Sequence, residues 1–354
     1  MHLCFSIFVI FLSSQAFAIT TPSVSANTLF LYRNSNFHNE DINVTSPDQA
    51  PNGLDLREAE LQFYSDVDPY TKLNLLLSIG SQYTTDGTTV SRAWSISPEE
   101  VFAESNVVDA VTFKLGKFKG AMGKQNTLHT HAFAFIESPL VNQALLGDEG
   151  LNDNGVSAAI LLPTSWFNEL TVQYFSGQNE EFNPPTRSSG VGLAHWKNLF
   201  DLNDELTLEA GLSYASGNNS FLGKTTLSAA DLTLKWRPSV GGRYTSFIWA
   251  TEYLQHNLAK KGLDEDISFG ISSWFQYQFA ERWSANYRYD DLTEVSKTER
   301  HSVGLNYIPS EFSSFRLEYN QTHGPLINAA AENTEKTIFL QANFTIGAHP
   351  SHTY

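Results

Sequence analysis

Residues 266–279 read DISFGISSWFQYQF, and apolar and polar side chains alternate along the whole stretch. One parity carries Ile267, Phe269 and Ile271 and continues to Phe279, whereas the other carries mainly serine and glutamine. Successive side chains of a strand point to opposite faces, so this pattern predicts a strand with one apolar and one polar face.

The same alternation recurs at 204–214 and 335–347. These segments exceed the roughly 5 to 6 residues of a typical globular strand and reach the about 9 to 11 that a tilted membrane-spanning strand needs. Several apolar rows end in aromatic residues, as lipid-facing rows of barrels do: Tyr174, Tyr214, Trp236, Tyr253, Trp283 and Tyr319. Length and aromatic ends favour a membrane barrel over a soluble sandwich.

The alternation predicts sixteen strands, an even number as in bacterial barrels. They are placed at 26–37, 54–66, 70–83, 98–106, 109–118, 154–163, 167–178, 189–199, 204–217, 227–238, 244–256, 266–279, 283–292, 299–308, 313–323 and 335–347. Every second connection is tight and the others are longer and polar, which fits short periplasmic turns and long outer loops. We therefore predict an all-β fold, a 16-stranded antiparallel transmembrane β-barrel.

The chain begins like an exported protein. Leu3 to Leu12 is an apolar run, and Ala16-Phe17-Ala18 is a small-x-small cleavage site. We interpret residues 1–18 as a secretory signal peptide and 19–354 as the barrel, delivered to the outer membrane of a Gram-negative cell. Cys4 is the single cysteine, so the mature chain is expected to have no disulfide.

Composition narrows the partners. The chain has 38 acidic and 22 basic residues, a formal net charge of -16, which argues against nucleic acid. Mean hydropathy is -0.25, which suits strands that show lipid only on every second residue. We expect contacts with outer-membrane lipid and lipopolysaccharide, with the acidic loops facing the latter.

One connection is far longer than the rest. Residues 119–153 contain an apolar middle that an exposed loop would not need: Phe133, Phe135, Ile136, Leu140, Val141, Leu145 and Leu146. Long loops with their own apolar surface are usually functional, and side chains alone cannot fill a barrel of this size. We predict that this third loop folds inward and forms a constriction.

If the apolar parity faces lipid, the lumen receives charges of both signs. The candidate pore-lining and constriction residues are Lys114, Lys117, Lys119, Lys124, Glu58, Glu60, Arg237, Arg288 and Arg316. Mixed signs indicate a general polar channel rather than a strongly ion-selective one. Alternatively, these groups pair across strands. The four lysines would attract anions at a constriction, or form an ordinary basic patch.

The third loop also holds His129 and His131, near Glu137, Asp148, Glu149 and Asp153. His-x-His beside carboxylates could bind zinc, but hydrogen bonding to the wall or the loop backbone is the simpler interpretation, and His349 and His352 fall after the last strand. We assign no metal site and expect no cofactor. The sequence lacks Gly-x-Ser-x-Gly and His-Glu-x-x-His motifs, so we expect no enzyme.

Several short motifs carry a resemblance: LREAEL at 56–61, VDPY at 67–70, LGKFK at 115–119, NTLHTH at 126–131, SPLV at 138–141 and GDEGL at 147–151. In these the chain resembles the phosphate-selective porin O and P-like families of Gram-negative bacteria, most sharply over 54–155. The resemblance implies a sixteen-stranded porin with an inward third loop, often trimeric. The terminal Tyr354 resembles the signal read by barrel-assembly machinery.

The resemblance does not carry phosphate selectivity across, because that property depends on pore arrays of arginine and lysine, and here acids accompany the three arginines. We expect a passive diffusion channel for small hydrophilic solutes. The alternatives are a substrate-specific porin, for anions or metal complexes, and a closed structural or adhesive barrel.

Overall fold

The computed structural model describes residues 21–36, 52–86, 89–147, 149–185, 190–294, 296–324 and 334–347. The predicted signal peptide, Asp148, His349, His352 and Tyr354 lie outside this part. Sixteen strands close into one antiparallel barrel in which neighbours in the chain are neighbours in the sheet, and β1 pairs with β16. Closure leaves no sheet edge open to another chain.

The first eight strands are β1 (Ser23–Ser35), β2 (Gly53–Asp66), β3 (Thr71–Asp86), β4 (Thr89–Val108), β5 (Val111–Lys119), β6 (Asn152–Leu161), β7 (Phe167–Phe175) and β8 (Val191–Asn203). The second eight are β9 (Leu206–Asn218), β10 (Lys224–Trp236), β11 (Ser246–Leu258), β12 (Asp266–Ala280), β13 (Trp283–Thr293), β14 (Lys297–Ser310), β15 (Ser313–His323) and β16 (Thr334–Gly347). The one α-helix of the described residues, α1, is Leu140–Leu146, preceded by 3₁₀ turns at Gln125–Thr127 and Thr130–Ala132.

All sixteen predicted strands are present, so the predicted fold class is confirmed. The largest difference in bounds is at β4, which begins at Thr89 instead of residue 98 and leaves only residues 87–88 between β3 and β4. Proline lacks a backbone N–H and tends to end a strand, which is why Pro98 marked the predicted start. Here Pro98 is instead adjacent to an irregularity in the pairing with β3, and the strand continues past it.

The two faces of the barrel differ as the alternation predicts. On β12, Ile267, Phe269 and Ile271 are exposed, whereas Gly270 and Ser272, which point to the other face, are buried. Soluble monomers rarely expose contiguous apolar patches above a few hundred Å², and here large apolar side chains are exposed along many strands. An outer surface of this kind is suited to lipid. Among the described residues, no helix is long and apolar enough to cross a membrane.

The two ends of the barrel also differ. At the end where β1 begins, which we call the turn end, two-residue turns at 109–110, 204–205, 281–282 and 311–312 join strands. The opposite end, the loop end, carries the connection between β5 and β6, residues 120–151, which we call the lumen loop. This loop positions the candidate site.

Candidate functional site

The lumen loop lies inside the barrel. Its backbone N–H groups donate to wall side chains on three separated strands: Ala121 to Gln173 of β7 at 2.8 Å, and Ile136 to Glu318 of β15 at 2.6 Å. Gly123 donates to Ser213 of β9 at 3.0 Å. Because these strands lie around the barrel wall, the segment between them must cross the lumen, as the sequence predicted.

Glu252 of β11 holds the start of the loop. Its Oε2 accepts from the backbone N–H groups of Lys124 at 2.8 Å and Gln125 at 3.0 Å, and its Oε1 accepts from Asn142 Nδ2 at 2.9 Å. Gly123 has φ +67°, and a Cβ on it would lie 2.6 Å from the Glu252 carboxyl group. Glycine is therefore required here for both its backbone conformation and its small size.

Arginines of the wall hold the middle of the loop. Arg288 Nη1 donates to the Glu137 carbonyl at 2.8 Å while its Nε contacts Asp290 at 2.9 Å. Arg316 Nη1 donates to the Phe133 carbonyl at 2.6 Å, and Arg57 donates to the Ile136 carbonyl. The predicted pore charges Arg288 and Arg316 are thus bonded to the loop backbone, and Arg316 stays partly exposed. Arg288 is only 1% exposed.

The structure places Arg237 elsewhere. It lies in the turn after β10, where its Nε donates to the Gly242 carbonyl at 2.9 Å. That position is at the turn end and outside the lumen loop's contacts. The sequence pattern predicted a lumen position for Arg237 because the predicted strand, 227–238, continued past Trp236, where β10 ends.

The second half of the loop is held by apolar packing. Helix α1 contacts β11, β12 and β13. Its Leu145 and Leu146 join a buried cluster with Leu227, Leu254 and Leu292 of the wall. The lumen face of the wall, which is otherwise mainly polar, therefore includes an apolar patch that covers this helix. The apolar middle of the loop packs on that patch.

The four predicted lysines each have an acidic or aromatic partner. Lys114 Nζ lies 3.9 Å from Glu104 and 4.1 Å from the centre of the Phe102 ring. Lys117 pairs with Glu149 at 3.7 Å, Lys119 with Glu99 at 3.2 Å and Lys124 with Glu209 at 3.0 Å. Lys114, Lys119 and Lys124 line the lumen, whereas Lys117 is not among the lining residues and donates to the Pro98 carbonyl at 2.8 Å. The lysines are compensated and do not form one uniform patch.

The two histidines meet carboxylates of the wall. His129 lies between Glu99, 2.9 Å from Nδ1, and Glu100, 3.1 Å from Nε2. His131 Nδ1 lies 2.5 Å from Glu60, and its ring stacks on His129 with centroids 5.9 Å apart. Burial alone would lower the pKa of His129, but the hydrogen bonds to Glu100 and Glu99 outweigh burial and raise it to about 10.

Sequence reasoning missed Glu99, Glu100 and Arg57. Leu76 pairs with Glu100 and Leu77 with Pro98, so Glu99 is an extra residue in the β3–β4 register. Arg57 is likewise an extra residue in the β1–β2 register, opposite Leu29 and Phe30. A bulge breaks strict alternation and re-aims a side chain, so neighbouring residues both reach the lumen. Pro98 is the sequence signal that could have marked the first bulge.

Two cavities flank the lumen loop. One of about 210 Å³, on the loop side, is lined by Glu58, Ser78 and Glu99; the other, of about 470 Å³ on the turn side, is lined by Glu100, Lys114 and Lys124. Lys119 lines both. Glu58 also accepts from Ser78 Oγ at 2.6 Å. The cavities therefore approach each other at the group formed by Lys119, Glu99, Glu100 and His129.

No protein-family model matches the chain. An uncharacterized protein of Aquifex aeolicus is 28% identical over 352 residues, covering 85% of this chain and 70% of the relative. Among solved structures, the outer membrane channel DcaP of Acinetobacter baumannii has a TM-score of 0.58 at 11% identity, covering 92% of this chain and 97% of its own. An anion-selective porin from Comamonas acidovorans has a TM-score of 0.57 at 10% identity, covering 92% and 100%.

At such low identities these likenesses concern the fold. The chain has the architecture of outer-membrane channels of the porin type, with a sixteen-stranded barrel and a loop folded into the lumen. They do not single out the phosphate-selective porins that the motifs resemble.

Proposed function

We propose that this protein is an outer-membrane porin through which small hydrophilic solutes diffuse passively. The observation that carries the proposal is the combination of an apolar outer surface with a polar lumen that the loop narrows from inside. Transport then depends on pore width and on the charges that border the two cavities. The turn end faces the periplasm, and export by the signal peptide 1–18 is part of the proposal.

The lumen charges support weak ion selectivity. Selectivity in charged pores comes from rings of one sign, whereas here each lysine of the candidate set has an acid within 4 Å, as in Lys119–Glu99 and Lys124–Glu209. Arg288 and Arg316 bind loop carbonyls. Phosphate selectivity of the kind that the resemblance suggests would need free cationic groups, so we propose a general channel and no enzymatic activity.

The proposed partners follow from the surface and the fold. The apolar face contacts outer-membrane lipid and lipopolysaccharide, and barrel-assembly machinery inserts the chain. A solved outer membrane protein of Vibrio cholerae with the same fold is described in a trimer form. We propose a homotrimer on that analogy.

The test is planar-bilayer conductance of the purified, refolded protein, comparing wild type with a deletion of residues 124–148. Stable open steps that enlarge on deletion are expected, because the loop occupies lumen space. Deleting a segment can unfold a barrel, so a liposome-swelling assay with neutral sugars of increasing size on the wild type provides a second measure. Absence of steps and of swelling would favour the closed structural or adhesive barrel.

A further inference from the structure

The strongest unassigned cluster lies between the two cavities. It joins Glu60 of β2, Glu99 of the β4 bulge and His129 of the lumen loop, with one ligand atom of each lying within 4.8 Å of the others. His131 adds a second imidazole, 2.5 Å from Glu60. We infer that this cluster binds a single divalent transition-metal cation of the zinc class at the constriction.

The ligand types select that class of metal. Imidazole nitrogen with carboxylate oxygen suits zinc and its first-row neighbours, whereas magnesium and calcium take oxygen ligands. Zinc bonds of about 2.0 to 2.2 Å place tetrahedral ligand atoms about 3.4 Å apart. The ligand atoms lie at most 4.8 Å apart, so the longest separation would shorten by up to about 1.4 Å when the ligands close on zinc.

Glu100 occupies the position of an orienting partner. It lies 3.1 Å from His129 Nε2, on the opposite side of the ring from Glu99 at Nδ1. Metal-bound histidines almost always donate their other N–H to a carboxylate or carbonyl, which fixes the tautomer. Donation to Glu100 would leave Nδ1 facing Glu99 and Glu60 as the ligating nitrogen. The cation then replaces the proton that Nδ1 shares with Glu99, and that proton is released.

An unsatisfied carboxylate oxygen also favours a cation. The carboxylates of Glu58, Glu60, Glu99 and Glu100 gather here with the cationic side chains of Lys119, Arg57 and Arg316 and with protonated His129, so the group is close to charge-balanced before a metal binds. Glu99 Oε2 is buried and accepts no hydrogen bond within the described residues. A buried carboxylate oxygen without a donor is costly, and a metal ligand bond would satisfy it.

Glu99 and His129 are accessible from the cavities, whereas Glu60 is buried and lines neither of them. Glu99 lines the cavity on the loop side, whereas His129 and Glu100 line the cavity on the turn side. A hydrated cation can therefore reach the ligands from the lumen. Once bound, it would join the loop to β2 and β4.

The experiment is a titration of the detergent-solubilised, refolded barrel with Co²⁺, followed by its visible absorption, and then competition with Zn²⁺ and Mg²⁺. We expect one equivalent of Co²⁺ to give the intense bands of a four-coordinate site, Zn²⁺ to abolish them and Mg²⁺ to leave them unchanged. This reading needs no open pore, so failure of the channel proposal and failure of the metal site are separable.

Variants locate the site. His129→Asn on the loop and Glu60→Gln on the wall should each weaken Co²⁺ binding at least tenfold. Glu100→Gln, which removes only the orienting partner, should weaken it about 10- to 100-fold. The matched control is His256→Asn, because His256 pairs with Glu181 at 2.9 Å away from the cluster. This variant should bind Co²⁺ with the wild-type midpoint.

Circular dichroism identifies variants that fail to fold. If both ligand variants fail to fold, the Co²⁺ spectrum of the wild type still tests the site. The spectrum of hexahydrated Co²⁺ in the wild type, or four-coordinate bands that persist with the same midpoint in both ligand variants, would overturn the site.

Discussion

The two halves of the lumen loop are held by different forces. Residues 120–138 are held by hydrogen bonds between their backbone and Glu252, Arg288 and Arg316, whereas α1 packs its leucines on an apolar patch of the wall and adds one hydrogen bond, from Asn142 to Glu252. Charged hydrogen bonds are directional and fix the backbone at particular points, but apolar packing depends mainly on the area removed from water. The first half therefore sets where the constriction lies, and the second half mainly supplies the binding energy of the loop.

The largest expected effect is the loss of a buried charge in the first half. Arg288→Ala leaves Asp290 buried without its partner and frees the Glu137 carbonyl. Breaking a buried ion pair costs about 3 to 5 kcal/mol, so the loop should detach at this point. We expect larger and noisier single-channel steps.

The control is Arg243→Ala, because Arg243 pairs with Glu281 on the surface and is 73% exposed. Such a pair contributes about 0 to 1 kcal/mol. Equal conductance changes in the two variants would contradict the anchoring role of Arg288.

The apolar half is tested by Leu145→Ala, since Leu145 is 1% exposed within the cluster around α1. A buried Leu→Ala change costs about 2 to 5 kcal/mol. We expect α1 to loosen while the hydrogen bonds of Glu252 and Arg288 to the loop persist. The single-channel current should then fluctuate faster, with little change in the mean conductance step. Leu263→Ala, at an exposed position, should behave as wild type; a mean step as large as that of Arg288→Ala would remove the distinction between the halves.

Gly123→Ala separates steric clash from backbone strain at the Glu252 anchor. Both Gly123 and Gly262 have a positive φ, +67° and +77°, but an added Cβ meets the Glu252 carboxyl group only at Gly123. A residue held in such a conformation costs on the order of 1 to 3 kcal/mol. The midpoint temperature of thermal unfolding should therefore fall further for Gly123→Ala than for Gly262→Ala. Equal decreases would show that movement of Glu252 relieves the clash.

The smallest expected effect concerns selectivity. Lys124→Gln removes the positive charge that lies 3.0 Å from Glu209. Glu209 retains its second partner, Lys197, at 3.7 Å. Stability should change by about 1 kcal/mol or less, while the reversal potential in a salt gradient should shift modestly toward cations. Glu209→Gln should shift it the opposite way, and shifts of the same sign would show that these groups do not border the conducting path.

Much of the fold follows from local pattern. A period of two identifies strands and their lipid face without knowledge of neighbours, and the sixteen strands and the short turns were predicted this way. The inward loop was predicted from its length and its apolar middle. The β4 start at Thr89 and the bulges at Arg57 and Glu99 were not predicted, because a bulge depends on the register with a neighbouring strand, here β1 for Arg57 and β3 for Glu99.

The sequence by itself therefore determined the barrel, its apolar outside and the residue types available in the lumen. Only the tertiary structure decided what those residues do. Arg288 and Arg316 hold the loop instead of lining a charged ring, and His129 meets Glu99 and Glu100. The physical reason is that alternation is a property of consecutive residues, whereas these contacts join β4, β13 and β15 to a loop that lies many residues away from them in the chain.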